Sequence, residues 1–149
     1  MHVKHTVNLG TAGLTPFAGT TQYSGTDIMN LVARIKPNLP EGKADTVYLA
    51  LTGRDINSPD RSLRFNFALH DKATRIGVIS VARLVLGEGD KPADDKIVWS
   101  RVYKMTKRLI GDVYFGYSRS ADIHYVMYSP IMSLDDVDKM GQDYPSATK

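Results

Sequence analysis

The chain has 149 residues, 42% of them hydrophobic and 23% charged, the balance of one soluble globular domain with its own core. There is no cysteine, which excludes disulfides, thiolate-bound zinc and a thiol nucleophile. A net charge of +3 with a pI near 9.1 is too mild to imply a nucleic-acid partner. No apolar run approaches the roughly 20 residues of a membrane span, and residues 1–10 lack the apolar stretch of a signal peptide. No membrane partner is therefore expected, while compartment and oligomeric state stay open.

Residues 1–21 read as an irregular lead-in to a single domain over 1–149, rich in Gly and Thr from Asn8 onward. Ser24 and Asp27 have capping-box spacing, with the shorter acid in place of Glu. Ile28, Leu31, Val32 and Ile35 then share a helical face until Pro37 stops it. Pro40-Glu41-Gly42 makes a turn. Residues 46–51 form a nearly continuous apolar run, suited to a strand covered on both faces. From 63 to 70, Leu63, Phe65, Phe67 and Leu69 alternate with Arg64, Asn66, Ala68 and His70, as in a half-buried strand with His70 near its solvent end. Residues 76–84 give another strand, with Val78, Ile79 and Val81 in the core. A charged loop over 87–95 leads to a long helix over 97–113. On it Trp99, Val102, Tyr103, Thr106, Leu109, Ile110 and Val113 trace the inner face, and Arg101, Lys104, Lys107 and Arg108 the solvated one. Ser133, with Asp136 three residues on, opens a last helix to about Asp143, with Val137 and Met140 inward.

Several stretches in this order resemble the archaemetzincin branch of the metzincins, across residues 22–144. They are Gln22-Tyr23, Leu51-Thr52-Gly53-Arg54-Asp55-Ile56, Phe65-Asn66-Phe67-Ala68, Gly77 to Leu84, Val126-Met127-Tyr128 and Ser133 to Asp138. The resemblance implies an α/β (α+β) zincin-like fold: a mixed twisted sheet, a long active-site-type helix, a Met-turn at Met127 and a C-terminal helix. It also implies a zinc site of pattern H-E-x-x-H-x-x-G-x-x-H. Laid on Gly116 as the turn glycine, that pattern puts the helix ligands at Leu109 and Val113, the general base at Ile110 and the last ligand at Arg119. Leu and Val cannot ligate zinc, Ile cannot accept a proton, and Arg repels the ion. The chemical positions are lost while the frame persists, so no zinc cofactor and no zinc proteolysis are expected.

What the resemblance leaves is a binding surface. In metzincins the edge strand corresponding to 63–70 pairs with substrate backbone, and backbone pairing needs no metal. The expected role is therefore a peptide- or protein-binding or structural module. Its cleft would be lined by Phe65, Phe67, Leu109, Ile110, Val113, Gly116, Arg119, Met127 and Tyr128. Tyr114, Phe115, Tyr117 and Tyr125 would either add to that surface or fill the lost cavity. The alternative is a metallohydrolase with non-standard ligands, Asp112 and His124 among them. His2 and His5 could clip a metal, but a flexible terminus accounts for them better. Asp136, Asp138 and Gly141 hint at calcium but lack the rest of a calcium loop. The basic helix residues could touch phosphates; a solvated face is the better default.

Overall fold

The computed structural model describes residues 6–10, 13–39, 45–89 and 91–146. The turn at Pro40 to Gly42 and the histidines His2 and His5 lie outside them. Strand β1 (Tyr23–Ser24) runs straight into helix α1 (Gly25–Ile35), and Ser24 caps that helix by accepting the Asp27 N–H at 3.2 Å. Ile28 and Val32 are its buried ridge. It tightens into a single 3₁₀ turn at Lys36–Asn38, where Pro37 can donate no hydrogen bond.

The main sheet has three strands: β2 (Tyr48–Thr52), β4 (Ala68–Asp71) and β5 (Ile76–Ser80), in the order β2-β5-β4. β2 runs parallel to β5, pairing Tyr48 with Ile76 and Thr52 with Ser80. β4 runs antiparallel, pairing Ala68 with Ile79 and Asp71 with Ile76. A short strand β3 (Ile56–Asn57) pairs in parallel with β1 as a separate ribbon. The sheet is thus mixed, as expected. Helices cover both its faces: Ile76 and Val78 pack with α1 residues Val32 and Ile28, and Ile79 packs with Met105 and Leu109 of helix α2 (Asp95–Val113).

Three expectations are corrected here. The strand covered on both faces is β5, buried at every position, not β2, whose Leu51 is exposed. Two helix-bearing faces meet only at the central strand. The strand expected over 63–70 is regular only from Ala68. Before it the pairing is irregular: the Asn66 N–H donates to the Ile56 carbonyl and the Ser80 N–H to the Phe67 carbonyl, while side-chain amides serve the rest, Asn57 Nδ2 donating to the Leu63 carbonyl, Gln22 Nε2 to the Arg64 carbonyl, and Asn66 Oδ1 accepting the Ser58 N–H. The strand expected over 76–84 ends at Ser80, whose hydroxyl donates to the Arg54 carbonyl at 2.6 Å.

The largest correction concerns α2, which is rotated relative to the expected face. Trp99 is 69% exposed and Tyr103 is exposed too, while Arg101, Lys104 and Arg108 are buried. Their stems pass through the core, and their cationic heads satisfy carbonyls of loops and of a helix end. Arg101 reaches the Leu84 and Leu86 carbonyls and pairs bidentately with Asp138. Lys104 reaches Val137 and Asp138, and Arg108 reaches Val126 and Tyr128. One helix thereby ties down two loops and the end of the last helix. Of the four basic residues, Lys107 alone is partly exposed, 3.8 Å from Asp143.

Helix α3 (Leu134–Lys139) carries the expected capping box of Ser133 and Asp136 and buries Val137, with Met140 buried just past its end. It is shorter than expected. The carboxylates read as a calcium hint are engaged otherwise: Asp136 caps α3 and Asp138 holds Arg101. No helix of the described residues is long and apolar enough to cross a membrane.

Candidate functional site

The last turns of α2, the end of β4 and the loop after α2 meet at one carboxylate. Asp112 is a buried side chain, 7% exposed, on the inner face of α2. Lys72 Nζ lies 2.6 Å from its Oδ1. Arg119 donates to Oδ2 at 2.5 Å, and His70 Nε2 lies 3.0 Å from the same oxygen. Arg108 stands one helical turn before Asp112, its guanidinium bound to the carbonyls of Val126 and Tyr128. The β4–β5 pairing is what delivers His70. His70 sits opposite Gly77, on the sheet face that packs against α2. A Cβ on Gly77 would collide with Leu109, so the missing side chain lets α2 approach closely.

The charges set one another. Burial pushes the Asp112 carboxyl up, but the Lys72 hydrogen bond and the charges of Arg119, His70 and Lys72 outweigh it and hold it below the ordinary value. Burial pushes His70 down; Asp112 opposes this, and Arg119, Lys72 and Arg108 reinforce it, so the ring is neutral at physiological pH. Arg108 is pushed down to about 10, chiefly by burial and then by Arg119, and stays charged at neutral pH. Asp112 therefore faces three fixed cations.

These residues do not fit a zinc ion. His70 and Asp112 are legitimate ligand types, but both Asp112 oxygens already hold cationic partners. At an effective dielectric of ~20, a unit-charge pair ~4 Å apart is worth about 4 kcal/mol, and a divalent ion doubles that repulsion against each cation. Guanidinium groups offer no lone pair to a metal. The alternative pair Asp112 and His124 is not one site: His124 is exposed and bonded to Asp122 at 2.7 Å, and Asp112 has the partners just named. Among the described residues, no three His, Cys, Asp or Glu side chains stand close enough to share a metal.

The residues expected to line a cleft separate into two groups. Leu109, Val113, Met127 and Phe67 are buried in one apolar cluster, and Tyr128 packs against it half-buried. Ile110 is half-buried, and its carbonyl accepts the N–H groups of Tyr114 and Phe115 where α2 ends. Phe65 meets Phe67 edge-on at 5.0 Å and lies under the Arg83 guanidinium at 4.0 Å. Gly116 is exposed, and its φ of +67° explains the glycine. Arg119 is the one of the nine whose side chain pairs with Asp112. The frame anchored on Gly116 marks core positions, whereas one residue earlier on the helix the same i, i+4 spacing marks Arg108 and Asp112. The aromatics after α2 pack mainly on one another, Phe115 stacking on Tyr117 at 5.3 Å and Tyr144 closing over both.

Lys72, Arg108 and the true setting of His70 are what sequence reasoning missed. An Arg and an Asp one helical turn apart, in a helix with an apolar face, were the available signal. Lys72 and His70 gave none, because only the strand register carries them to α2.

No family model matches the sequence, and no curated protein matches it. Solved structures do. The archaemetzincin of Methanopyrus kandleri superposes with a TM-score of 0.65 and 27% identity, over 85% of this chain and 61% of its own. That of Archaeoglobus fulgidus, solved in complex with malonate, gives 0.63 and 27%, over 85% and 66%. A zinc-dependent peptidase of Methanocorpusculum labreanum gives 0.72 at 22% identity, over 84% and 71%, and speaks to the fold alone. The chain thus spans about three fifths to two thirds of the two archaemetzincins, and its resemblance to them holds in three dimensions.

Proposed function

We propose that this archaemetzincin-like domain is a non-catalytic member of its fold group that binds an extended peptide or protein segment. In this reading Arg108 and Asp112 stand where the zinc-binding histidine pair of a metzincin helix would stand, and the metal's positive charge is replaced by Lys72 and Arg119. The observation that carries it is the cluster around Asp112: a single buried carboxylate held by three neighbouring side chains, two of them fixed cations. Such a cluster engages both carboxylate oxygens, and so offers neither a seat for a metal that would activate a water nor a free base to deprotonate one.

Peptide binding is supported by the sheet. β4 lies at its edge and pairs on one side only, with β5. Its other edge can extend the sheet by one strand, with affinity drawn from main-chain hydrogen bonds. The test is amide chemical shifts of isotope-labelled protein titrated with extended peptide libraries. Shifts concentrated at Ala68–Asp71 are expected; binding that leaves those amides unmoved would sink the edge-strand reading. A parallel assay with added zinc should show no peptide cleavage.

A further inference from the structure

The described cluster has one carboxylate and three fixed cations, Lys72, Arg108 and Arg119, with His70 neutral, so it carries a formal excess of two positive charges. The excess is not all buried. The Lys72 side chain is 59% exposed and that of Arg119 39% exposed. Arg119 spends one donor on Asp112, and Lys72 one of its three. Donors therefore remain on the two exposed side chains of the cluster, Lys72 directly following β4. Arg108 adds positive potential from behind, where it cannot be neutralised by solvent.

We infer that this place, which in zincins holds a cation, is here an anion site, and that it takes a carboxylate carried by the bound segment. The inference rests on the edge-strand reading for its peptide but not for its anion. Lys72 and Arg119 are the contacting residues; Asp112 is the positioning residue that holds both heads together and keeps the buried side of the cluster satisfied. A carboxylate would accept from the Lys72 ammonium and from the free edge of the Arg119 guanidinium, as a charge-assisted pair. Two sources share that chemistry. A C-terminal carboxylate at Lys72 requires the peptide to run parallel to β4, since Lys72 follows that strand's last residue. An acidic side chain allows either direction.

The experiment compares three versions of one extended peptide by fluorescence anisotropy and by amide and side-chain shifts: free acid, C-terminal amide, and amide with an internal Glu. Sodium propionate alone is the fourth probe. The free acid, or the Glu-bearing amide, is expected to bind about tenfold more tightly than the plain amide, with the advantage fading as salt is raised. Preference for the free acid identifies a chain terminus, and preference for the Glu peptide an acidic side chain; either supports the site. Arg119→Gln and Lys72→Met should each erase the preference, with folding checked by unchanged amide spectra elsewhere. Arg119→Lys should restore part of it. Propionate moving the Arg119 Nε–H while no peptide moves Ala68–Asp71 would keep the anion site and remove the edge-strand reading. Equal affinity for all three peptides, with both variants unchanged, would overturn the anion site and leave the edge strand standing.

Discussion

At the scale of residues, Asp112 decides the character of the site. Its carboxylate accepts from two fixed cations and meets His70, while Arg108 sits behind it. Removing it leaves like charges facing one another in partial burial. Asp112→Ala is therefore expected to lower unfolding free energy by about 3 kcal/mol, at the low end for a buried pair because Lys72 and Arg119 can rehydrate. Urea denaturation measures it. His70 supplies a pH dependence. Its folded pKa lies below the ordinary value of 6.5, so between those two values the unfolded chain binds a proton that the folded chain does not. Stability therefore falls as pH drops from about 7 toward 5. Asp112 adds nothing in that window, since its own depressed pKa is crossed only at much lower pH. Urea midpoints across that range should decline in the parent and run flatter in His70→Gln; parallel curves would remove His70 as the cause. Gly111 is a packing counterpart. A Cβ there would meet the Met127 sulfur and the Tyr144 ring. Gly111→Ala should thus cost about 1–3 kcal/mol from overpacking, despite a helix-propensity gain of about 1 kcal/mol. A stabilised variant would disprove the close approach.

At the scale of elements, α2 shows why an amphipathic pattern can mislead. Its apolar and basic residues alternate such that two faces are defensible by periodicity. The inner one is chosen by what the loops need. The carbonyls of Leu84, Leu86, Val126 and Tyr128 belong to irregular backbone and those of Val137 and Asp138 to the last turn of α3, and long cationic side chains are the donors that reach them. Arg101→Ala is expected to cost about 3 kcal/mol, because the Asp138 carboxylate and two carbonyls lose their partner together. Trp99→Ser, on the outward face, should change stability by no more than about 0.5 kcal/mol. Thermal or chemical denaturation of the pair measures this, and a reversed order would mean that α2 is turned the other way. The edge segment before β4 follows the same logic: residues 63–67 alternate like a strand, but only Asn66 and Phe67 pair through backbone, and the amides of Asn57, Gln22 and Asn66 hold the rest.

At the scale of the whole molecule, the fold resembles archaemetzincin structures, while the proposed function sets its chemistry apart from theirs. In that reading the face of the sheet covered by α2 carries a cation-rich cluster around Asp112 where a metal would sit. Zinc should then not stabilise the protein. A metal bound at a hundred times its dissociation constant would add about 2.7 kcal/mol; a change below about 0.3 kcal/mol is expected here. The measurement is a zinc series of denaturation curves on protein with His2 and His5 replaced by alanine, backed by native mass spectrometry. One tightly held zinc per chain would overturn the non-catalytic reading.

The sequence by itself determined the order of elements, the caps at Ser24 and Ser133, the inward Val137 and Met140, and the resemblance to archaemetzincins. These are local signals: hydrogen bonds within one turn, periodicity within one segment, short motifs in a fixed order. It also shows that the pattern H-E-x-x-H-x-x-G-x-x-H is absent, because that depends only on residue types. Which charged residues gather around Asp112 was decided by tertiary structure. The rotation of α2 depends on distant carbonyls seeking donors, and the arrival of His70 and Lys72 depends on the register of β4 against β5. A burial partner tens of residues away leaves no periodicity in the chain, so Arg108 and Asp112 read as ordinary helix residues until the sheet brings the other charges to them.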